Sequence, residues 1–260
     1  MDVRMDGRNA IITGGSKGLG KAMAIEFSKS GASVALVSRG QEALDAAKAE
    51  VAEVSDGKVI TVAADIRQAD ECIRAVAEAE AALGGIDILV NNAGTSQRGP
   101  FLEVSDELWQ DDLDLKLFAS IRLSRLVIPG MRDRRWGRII NVLNVGAKMP
   151  SAEGAPTAVS RAAGMALMKV LANEGAPHNV LVNGMLVGKI RSDQWEQRHA
   201  KDPDGLSLED WYTETGKEQP MGRLGLAQEF ANMACFLASD AGSYINGAAI
   251  NVDGGLCKVV

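Results

Sequence analysis

Cysteine and histidine are scarce in this chain of 260 residues, which contains three cysteines and two histidines. Cys72, Cys235 and Cys257 are odd in number, widely spaced and outside any Cys-x-x-Cys or Cys/His grouping. This spacing argues against a disulfide framework and against a zinc site. We therefore expect a cytoplasmic protein that holds no metal ion.

Long apolar runs and an excess of basic residues are also missing. No stretch reaches the roughly 18 consecutive apolar residues of a membrane span, and residues 1–8 are too polar for a signal peptide. Lys and Arg number 28 against 34 Asp and Glu, which gives a net charge of -6 and argues against a nucleic-acid partner. A small molecule is the expected partner, without membrane attachment.

Short apolar runs alternate with helix-period segments along the chain, a pattern typical of a parallel sheet with crossover helices. It predicts a single α/β domain over residues 1–260. The predicted strands are residues 9–13, 33–38, 58–63, 86–91, 137–142, 180–186 and 248–252, and the predicted helices include residues 19–30, 42–54, 69–83 and 161–174. Residues 188–222 interrupt this alternation of strands and helices and contain many charges. We interpret this segment as a lid over a site or as an exposed insertion.

A glycine-rich turn between the first strand and the first helix indicates a dinucleotide site. Glycines at 14, 18 and 20 let the backbone approach a pyrophosphate, whose charge meets the helix N-terminus. The second strand ends at Ser38-Arg39, without the acid that an NAD-selective site places there. Lys17 and Arg39 together are suited to neutralise a 2′-phosphate, and the alternative is that both are ordinary solvated cations. Because two cations are present and the acid is missing, NADP(H) is favoured over NAD(H).

Three motifs together resemble the short-chain dehydrogenase/reductase family over essentially the whole chain: Thr13 to Gly20, Asn91-Asn-Ala-Gly94 and Ile250-Asn-Val-Asp-Gly-Gly255. The resemblance implies a doubly wound Rossmann-type domain with seven parallel strands and a homotetramer or homodimer. The expected cofactor-binding residues are Gly14, Ser16, Lys17, Gly18, Leu19, Gly20, Arg39, Asp65, Ile66, Asn92, Ala93, Gly94, Gly188, Ile190 and Ser192.

The four positions that carry the reaction in that family hold other residues here. By the resemblance, Asn144 stands at the serine, Thr157 at the tyrosine, Arg161 at the lysine and Lys116 at the asparagine. An aliphatic hydroxyl is a far poorer acid than a phenol, and a guanidinium stays protonated, so the family mechanism does not transfer unchanged. We expect Thr157 and Arg161 to face the cofactor, since they are four apart on one helix.

Lys116 is the predicted proton donor. The charge of Arg161 and any burial would depress its pKa toward neutrality, while Asn144 and Thr157 polarise a carbonyl oxygen. Alternatively, Lys116 extends out of its helix into solvent. Tyr212 and His199 in the 188–222 insertion are the other candidate donors.

Two cations in one pocket favour a keto or hydroxy acid as substrate. Lys148, Lys189 and Arg191 are further, weaker candidates for this field. Apolar pocket walls are expected from four residues, Trp195, Trp211, Met185 and Met221.

Three functions remain open from the sequence alone. The first is an NADP(H)-dependent oxidoreductase acting on a small carbonyl or alcohol with an atypical catalytic set. The second is a lyase or aldol-type enzyme with Lys116 as an amine nucleophile. The third is a protein that binds NADP(H) as a sensor or scaffold without redox turnover.

Overall fold

The chain folds around one parallel sheet of seven strands, with helices on both of its faces. The computed structural model describes residues 3–202 and 205–259. The strands are β1 (Asn9–Thr13), β2 (Ser33–Ser38), β3 (Val59–Ala63), β4 (Ile88–Asn91), β5 (Gly137–Asn144), β6 (Val180–Val187) and β7 (Ala249–Val252). Their order is β3-β2-β1-β4-β5-β6-β7, and every neighbouring pair is parallel.

Helices alternate with the strands in the first two thirds of the chain, and further helices lie between β6 and β7. They are α1 (Gly18–Lys29), α2 (Gln41–Ala52), α3 (Ala69–Leu83), α4 (Asp106–Leu113), α5 (Ala119–Asp133), α6 (Thr157–Gly175), α7 (Asp193–His199), α8 (Leu208–Lys217) and α9 (Ala227–Ala238). Among the residues described, no helix is long and apolar enough to cross a membrane.

Two apolar layers bury the two faces of the sheet. One layer packs α1, α2 and α9 through side chains such as Phe27, Leu44 and Phe230. The other packs α3, α5 and α6 through side chains such as Leu123 and Met168. Strands covered on both faces appear in the sequence as continuous apolar runs, which is why the predicted strands agree closely with those observed.

The strand order reverses direction at β1, whose neighbours β2 and β4 carry the chain to opposite sides of the sheet. Ligands of open parallel sheets bind in the crevice at the carboxyl ends of the strands beside such a reversal. The predicted fold, a doubly wound seven-stranded Rossmann-type domain, is confirmed.

Candidate active site

A cavity of about 510 Å³ opens at the carboxyl ends of β1, β4, β5 and β6. Its wall contains most of the cofactor residues expected from the sequence, namely Gly14, Lys17, Gly18, Leu19, Asn92, Ala93, Gly94, Gly188, Ile190 and Ser192. Ser16, Gly20, Arg39, Asp65 and Ile66 do not line this cavity.

The glycine turn is shaped to bring backbone close to a ligand. Gly14 and Gly18 have φ of 65° and 52°, in the left-handed region that favours glycine. A Cβ at Gly20 would overlap the carbonyl oxygen of Gly14 and lie 2.7 Å from Asn92 Nδ2. The side chain of Lys17 does not cap α1, which leaves the first N–H groups of that helix able to meet an anion. These features fit the pyrophosphate of a dinucleotide.

Asn92 ties this turn to the sheet. Its Nδ2 donates to the carbonyl oxygen of Thr13 at 2.9 Å, and its backbone N–H donates to Thr13 Oγ1 at 3.0 Å. The ends of β1 and β4 are therefore held together beneath the site, so the glycine turn has a rigid support.

Arg39, Asp65 and Ile66 lie where β2 and β3 end, beside the glycine turn. Arg39 is exposed and Ile66 is buried. The Arg67 guanidinium donates to both oxygens of Asp65 and holds the pKa of that carboxyl below its ordinary value, with a smaller contribution from the charge of Arg39. This edge of the sheet thus presents a guanidinium to solvent where the sequence predicted the 2′-phosphate.

Lys17 lies at the boundary between the glycine turn and α7. Its Nζ is 3.5 Å from Asp193 Oδ2, while its side chain is largely exposed. The sequence predicts that Lys17 and Arg39 together bind the 2′-phosphate. In the structure, the carboxylate of Asp193, from the 188–222 insertion, also lies near Lys17.

Lys116 lies in a single π-helical turn, Asp114–Phe118, between α4 and α5. Such turns widen the helix and redirect side chains, often at functional sites. The side chains of Lys116 and Asp112 are both fully buried, and the Lys116 ammonium donates to Asp112 Oδ1. Lys116 therefore does not extend into solvent. It forms a buried ion pair with Asp112, which was not predicted from the sequence.

Thr157 lies between this ion pair and the cavity. Its Oγ1 accepts hydrogen bonds from Lys116 Nζ at 2.7 Å and from the backbone N–H of Gln97 at 3.0 Å. Thr157 lines the cavity, whereas Lys116 does not. The expectation that the amine itself faces the substrate is therefore corrected: the π-helical turn directs it behind Thr157.

Arg161 and Asn144 complete the cavity wall near the predicted catalytic positions. Arg161 Nη1 donates to the carbonyl oxygen of Val142, and a Cβ at Gly94 would overlap Arg161 Nη2. Asn144 Oδ1 is buried and has no hydrogen-bond partner among the described residues. A buried amide oxygen of this kind can accept a hydrogen bond from a ligand.

The surroundings of Lys116 determine its acidity. Burial, followed by the charge of Arg161, lowers the pKa of Lys116 to about 8, although the hydrogen bond to Asp112 acts in the opposite direction. Burial also lowers the pKa of Arg161 to about 10. A lysine of this acidity exists in both protonation states close to neutral pH.

The other candidate donors lie away from this cavity. Tyr212 is 3% exposed and lines a separate, smaller cavity with Arg191, while His199 Nε2 contacts the carbonyl oxygen of Leu206 at 2.8 Å. Of the four expected apolar wall residues, Trp195 alone lines the cavity. Met185 is buried in the core, Met221 packs near Gly254, and the Trp211 ring packs against Trp195 at an interplanar angle of 53°.

The weaker candidates for a cationic field differ in position. Lys189 lines the cavity. Lys148 donates to the carbonyl oxygen of Ala249, and Arg191 is paired with Glu209 at 2.8 Å. Lys148 and Arg191 therefore interact mainly with other groups of the protein.

Three residues of the site were missed from the sequence. Asp112 pairs with Lys116, Ser160 donates to Asp112 Oδ2 at 2.6 Å, and Gln97 supplies a backbone N–H to Thr157. The spacing of four between Asp112 and Lys116 was a usable signal, because such pairs share a helix face. Nothing in the sequence around Gln97 points to its contact.

Comparison with known proteins agrees with this architecture. Residues 8–203 match the profile of the short chain dehydrogenase family. The chain is 32% identical over 252 residues to gluconate 5-dehydrogenase of Gluconobacter oxydans, which covers 97% of this chain and 95% of that protein. Acetoacetyl-CoA reductase of Shinella zoogloeoides is also 32% identical, over 95% of this chain and 98% of its own.

A solved structure of L-sorbose reductase from Gluconobacter frateurii, complexed with NADPH and L-sorbose, superposes with a TM-score of 0.95. It is 34% identical, and the match covers 100% of both chains. The chain belongs to the short chain dehydrogenase family, and its predicted class, an NAD(P)-dependent oxidoreductase, is confirmed at that level.

Proposed function

We propose that this protein is an NADP(H)-dependent oxidoreductase that interconverts a small carbonyl compound and its alcohol. The observation that carries the proposal is the hydrogen bonding of Thr157 at the cavity wall. Its oxygen already accepts from Lys116 and Gln97, so its own proton remains to be donated. Within the protein that proton meets Asp112 Oδ1 only at 3.4 Å, which is long for a hydroxyl donor.

The donated proton would stabilise a substrate oxygen placed at Thr157. NADPH, when bound, supplies the hydride for the carbonyl carbon. In reduction, the oxygen takes its proton from Thr157 while Thr157 takes one from the Lys116 ammonium, so the hydroxyl is restored and the amine becomes neutral. A threonine that accepts one proton as it donates another does not become an alkoxide. The poor acidity of its hydroxyl therefore does not prevent the proton transfer.

Asp112 and Ser160 position the amine in this scheme. Asp112 accepts from Lys116 through one oxygen and from Ser160 through the other. Burial, followed by the positive charge of Arg161, keeps the pKa of Lys116 at about 8. Because both protonation states are then accessible near neutral pH, the same set serves reduction and oxidation.

The glycine turn, Asn92 to Gly94 and residues 188–192 would hold the cofactor, and Arg39 would meet a 2′-phosphate. A preference for NADP(H) is supported by the NADPH in the L-sorbose reductase structure and in a structure of actinorhodin polyketide ketoreductase. An amine nucleophile at Lys116 has less support, because its Nζ does not reach the cavity.

Residues 188–222 are proposed to act as a lid. The Gln194 side chain donates to the carbonyl oxygen of Gly94 at 3.1 Å, and Ser192 lies against Gly18. Residues 188–194 of this segment therefore extend over the cavity from the carboxyl end of β6 to the loop after β4. This arrangement would exclude water around a bound substrate.

A homo-oligomer is also proposed. Phe118, Val159 and Val170 expose apolar side chains beside or on α5 and α6, with relative exposures of 39%, 50% and 53%. A second copy of the chain would cover this surface. Size-exclusion chromatography with light scattering should give a dimer or tetramer, and a monomer would contradict the proposal.

The direct test is NADPH oxidation by purified protein across keto acids, ketose sugars, neutral ketones and aldehydes. NADPH binding is measured separately by fluorescence, and Lys116→Met is assayed alongside. Turnover that is lost in the variant while NADPH still binds supports the proposal. Tight NADPH binding without reduction of any carbonyl would contradict it and favour a binding protein without redox turnover.

A further inference from the structure

Two arginines that have no carboxylate partner in residues 3–202 and 205–259 line the cavity that contains Thr157. Arg98 lies in the loop after β4, and Arg198 lies in the last turn of α7, so the two come from different walls. Neither forms an ion pair within the described part of the chain, in contrast to Arg191 with Glu209 and Arg223 with Glu229. These two guanidiniums are a local excess of positive charge at one cavity in a chain of net charge -6.

Arg98 is held beside the reacting hydroxyl by backbone contacts. Arg98 and Pro156 form an isolated antiparallel bridge, and Gly99 N–H donates to the carbonyl oxygen of Ala155 at 3.2 Å. On the other side, Thr157 N–H donates to the carbonyl oxygen of Gln97 at 3.3 Å. The loop is thus fastened to the start of α6, and the backbone of Arg98 lies next to Pro156, the residue before Thr157.

Arg198 is oriented by an aromatic ring. Its guanidinium carbon lies 4.6 Å from the centroid of Trp195, which also lines the cavity. Stacking on a ring uses the face of a guanidinium and leaves its edge N–H groups available for an oxyanion. On the other wall, Arg98 Nη2 donates to Ser151 Oγ at 3.2 Å, which uses one of its five N–H groups.

The two charges also influence each other. The pKa of Arg198 is lowered by burial first and by the charge of Arg98 second. An anion between the two guanidiniums would relieve this repulsion. The other cations of the cavity wall differ, because Lys17 is near Asp193 and Lys189 is 3.8 Å from Glu218 Oε2. Arg161 donates to the carbonyl oxygen of Val142.

We infer that Arg98 and Arg198 together bind an anionic group of the substrate, a carboxylate or a phosphate, while its carbonyl lies at Thr157. The inference rests on the proposed function and names the substrate class of that same site. The sequence predicts this positive field at Lys116 and Arg161 instead. In the structure, Lys116 belongs to a buried ion pair and the Arg161 guanidinium donates to a backbone carbonyl oxygen.

The test compares pairs of probes in which one member has the anionic group and the other has a neutral group at the same position. The pairs are pyruvate with pyruvamide and dihydroxyacetone phosphate with dihydroxyacetone. Binding to the NADP⁺-loaded protein is measured by titration calorimetry and reduction by NADPH consumption, for wild type, Arg98→Gln, Arg198→Gln and the double variant. Arg125→Gln is the control, because Arg125 is exposed on α5 and does not line the cavity.

The anionic member of at least one pair should bind at least about tenfold more tightly than its neutral partner. Each single variant should reduce that preference about threefold, the double variant should abolish it, and the control should keep it. The pair that shows the preference identifies a carboxylate or a phosphate. Equal binding of anionic and neutral probes, or a preference that survives in the double variant, would overturn the inference.

The two proposals fail separately. Neutral and anionic probes that are reduced equally well would leave the oxidoreductase proposal standing and overturn the anion site. A charge preference in binding that the double variant loses, without turnover of any probe, would support the anion site and contradict the oxidoreductase proposal.

Discussion

Removal of the Lys116 amine should destabilise the fold by a measurable amount. In Lys116→Met the methylene stem is largely kept, but Asp112 loses its ammonium partner at a fully buried position. Asp112 then retains Ser160 at 2.6 Å and a long contact to Thr157 at 3.4 Å. Stranding one member of a buried ion pair costs about 3–5 kcal/mol of unfolding free energy, and we expect a loss in this range near pH 8.

Urea unfolding followed by circular dichroism measures this loss. The double variant Asp112→Asn/Lys116→Met removes the stranded charge and keeps an amide for Ser160, so it should return to within about 1 kcal/mol of wild type. A Lys116→Met protein within about 1 kcal/mol of wild type, or a double variant no more stable than the single one, would refute the buried ion pair.

Three further predictions concern the turn, the cofactor preference and pH. Gly20→Ala, whose Cβ overlaps Gly14, should weaken NADPH binding more than about tenfold in fluorescence titration; Gly40→Ala, with open space around it, should not. Arg39→Glu should weaken NADPH binding about tenfold or more with little change for NADH, and equal losses for both would contradict the assignment. The folded pKa of Lys116 lies below its ordinary 10.5, so the unfolded chain binds more protons between about pH 8 and about pH 10.5, and stability from this group should rise across that window. Urea midpoints that show no such rise relative to Asp112→Asn/Lys116→Met would contradict it.

Most of the fold could be predicted because strands buried on both faces leave a strong signal in the sequence. Residues 9–13 and 33–38 were predicted as strands with the observed ends, whereas β5 continues two residues beyond the predicted end, to Asn144. The helix predicted to begin at Arg161 begins at Thr157, since Thr157 follows Pro156 at a position compatible with a helix start. Helices α7 and α8 were not predicted, because their sequences are mainly polar.

The site was predictable where a motif fixes the backbone and less so where side chains decide. Gly14, residues 17–19 and residues 92–94 line the cavity, whereas Ser16 and Gly20 do not. The NADP(H) preference and the enzyme class agree with the relatives. The position of Lys116 depends on a π-helical turn, which needs one extra residue per turn and has no sequence signature. Arg98 and Arg198 resemble ordinary solvated charges in the sequence, and only the folded loop and α7 bring them to one cavity. The catalytic roles, the lid, the oligomer and the cytoplasmic location stay predictions.

The measurement that tests the central claim most directly is the pH profile of kcat/KM for carbonyl reduction between about pH 6 and about pH 10. Proton supply by Lys116 through Thr157 predicts a rate that falls as pH rises through about 8, while alcohol oxidation rises through the same value. In Asp112→Asn/Lys116→Met and in Thr157→Val, reduction should fall about 100-fold or more, and the inflection should disappear, with NADPH binding retained. A profile in which the inflection near 8 persists without Lys116, or a Thr157→Val protein of full activity, would contradict the account.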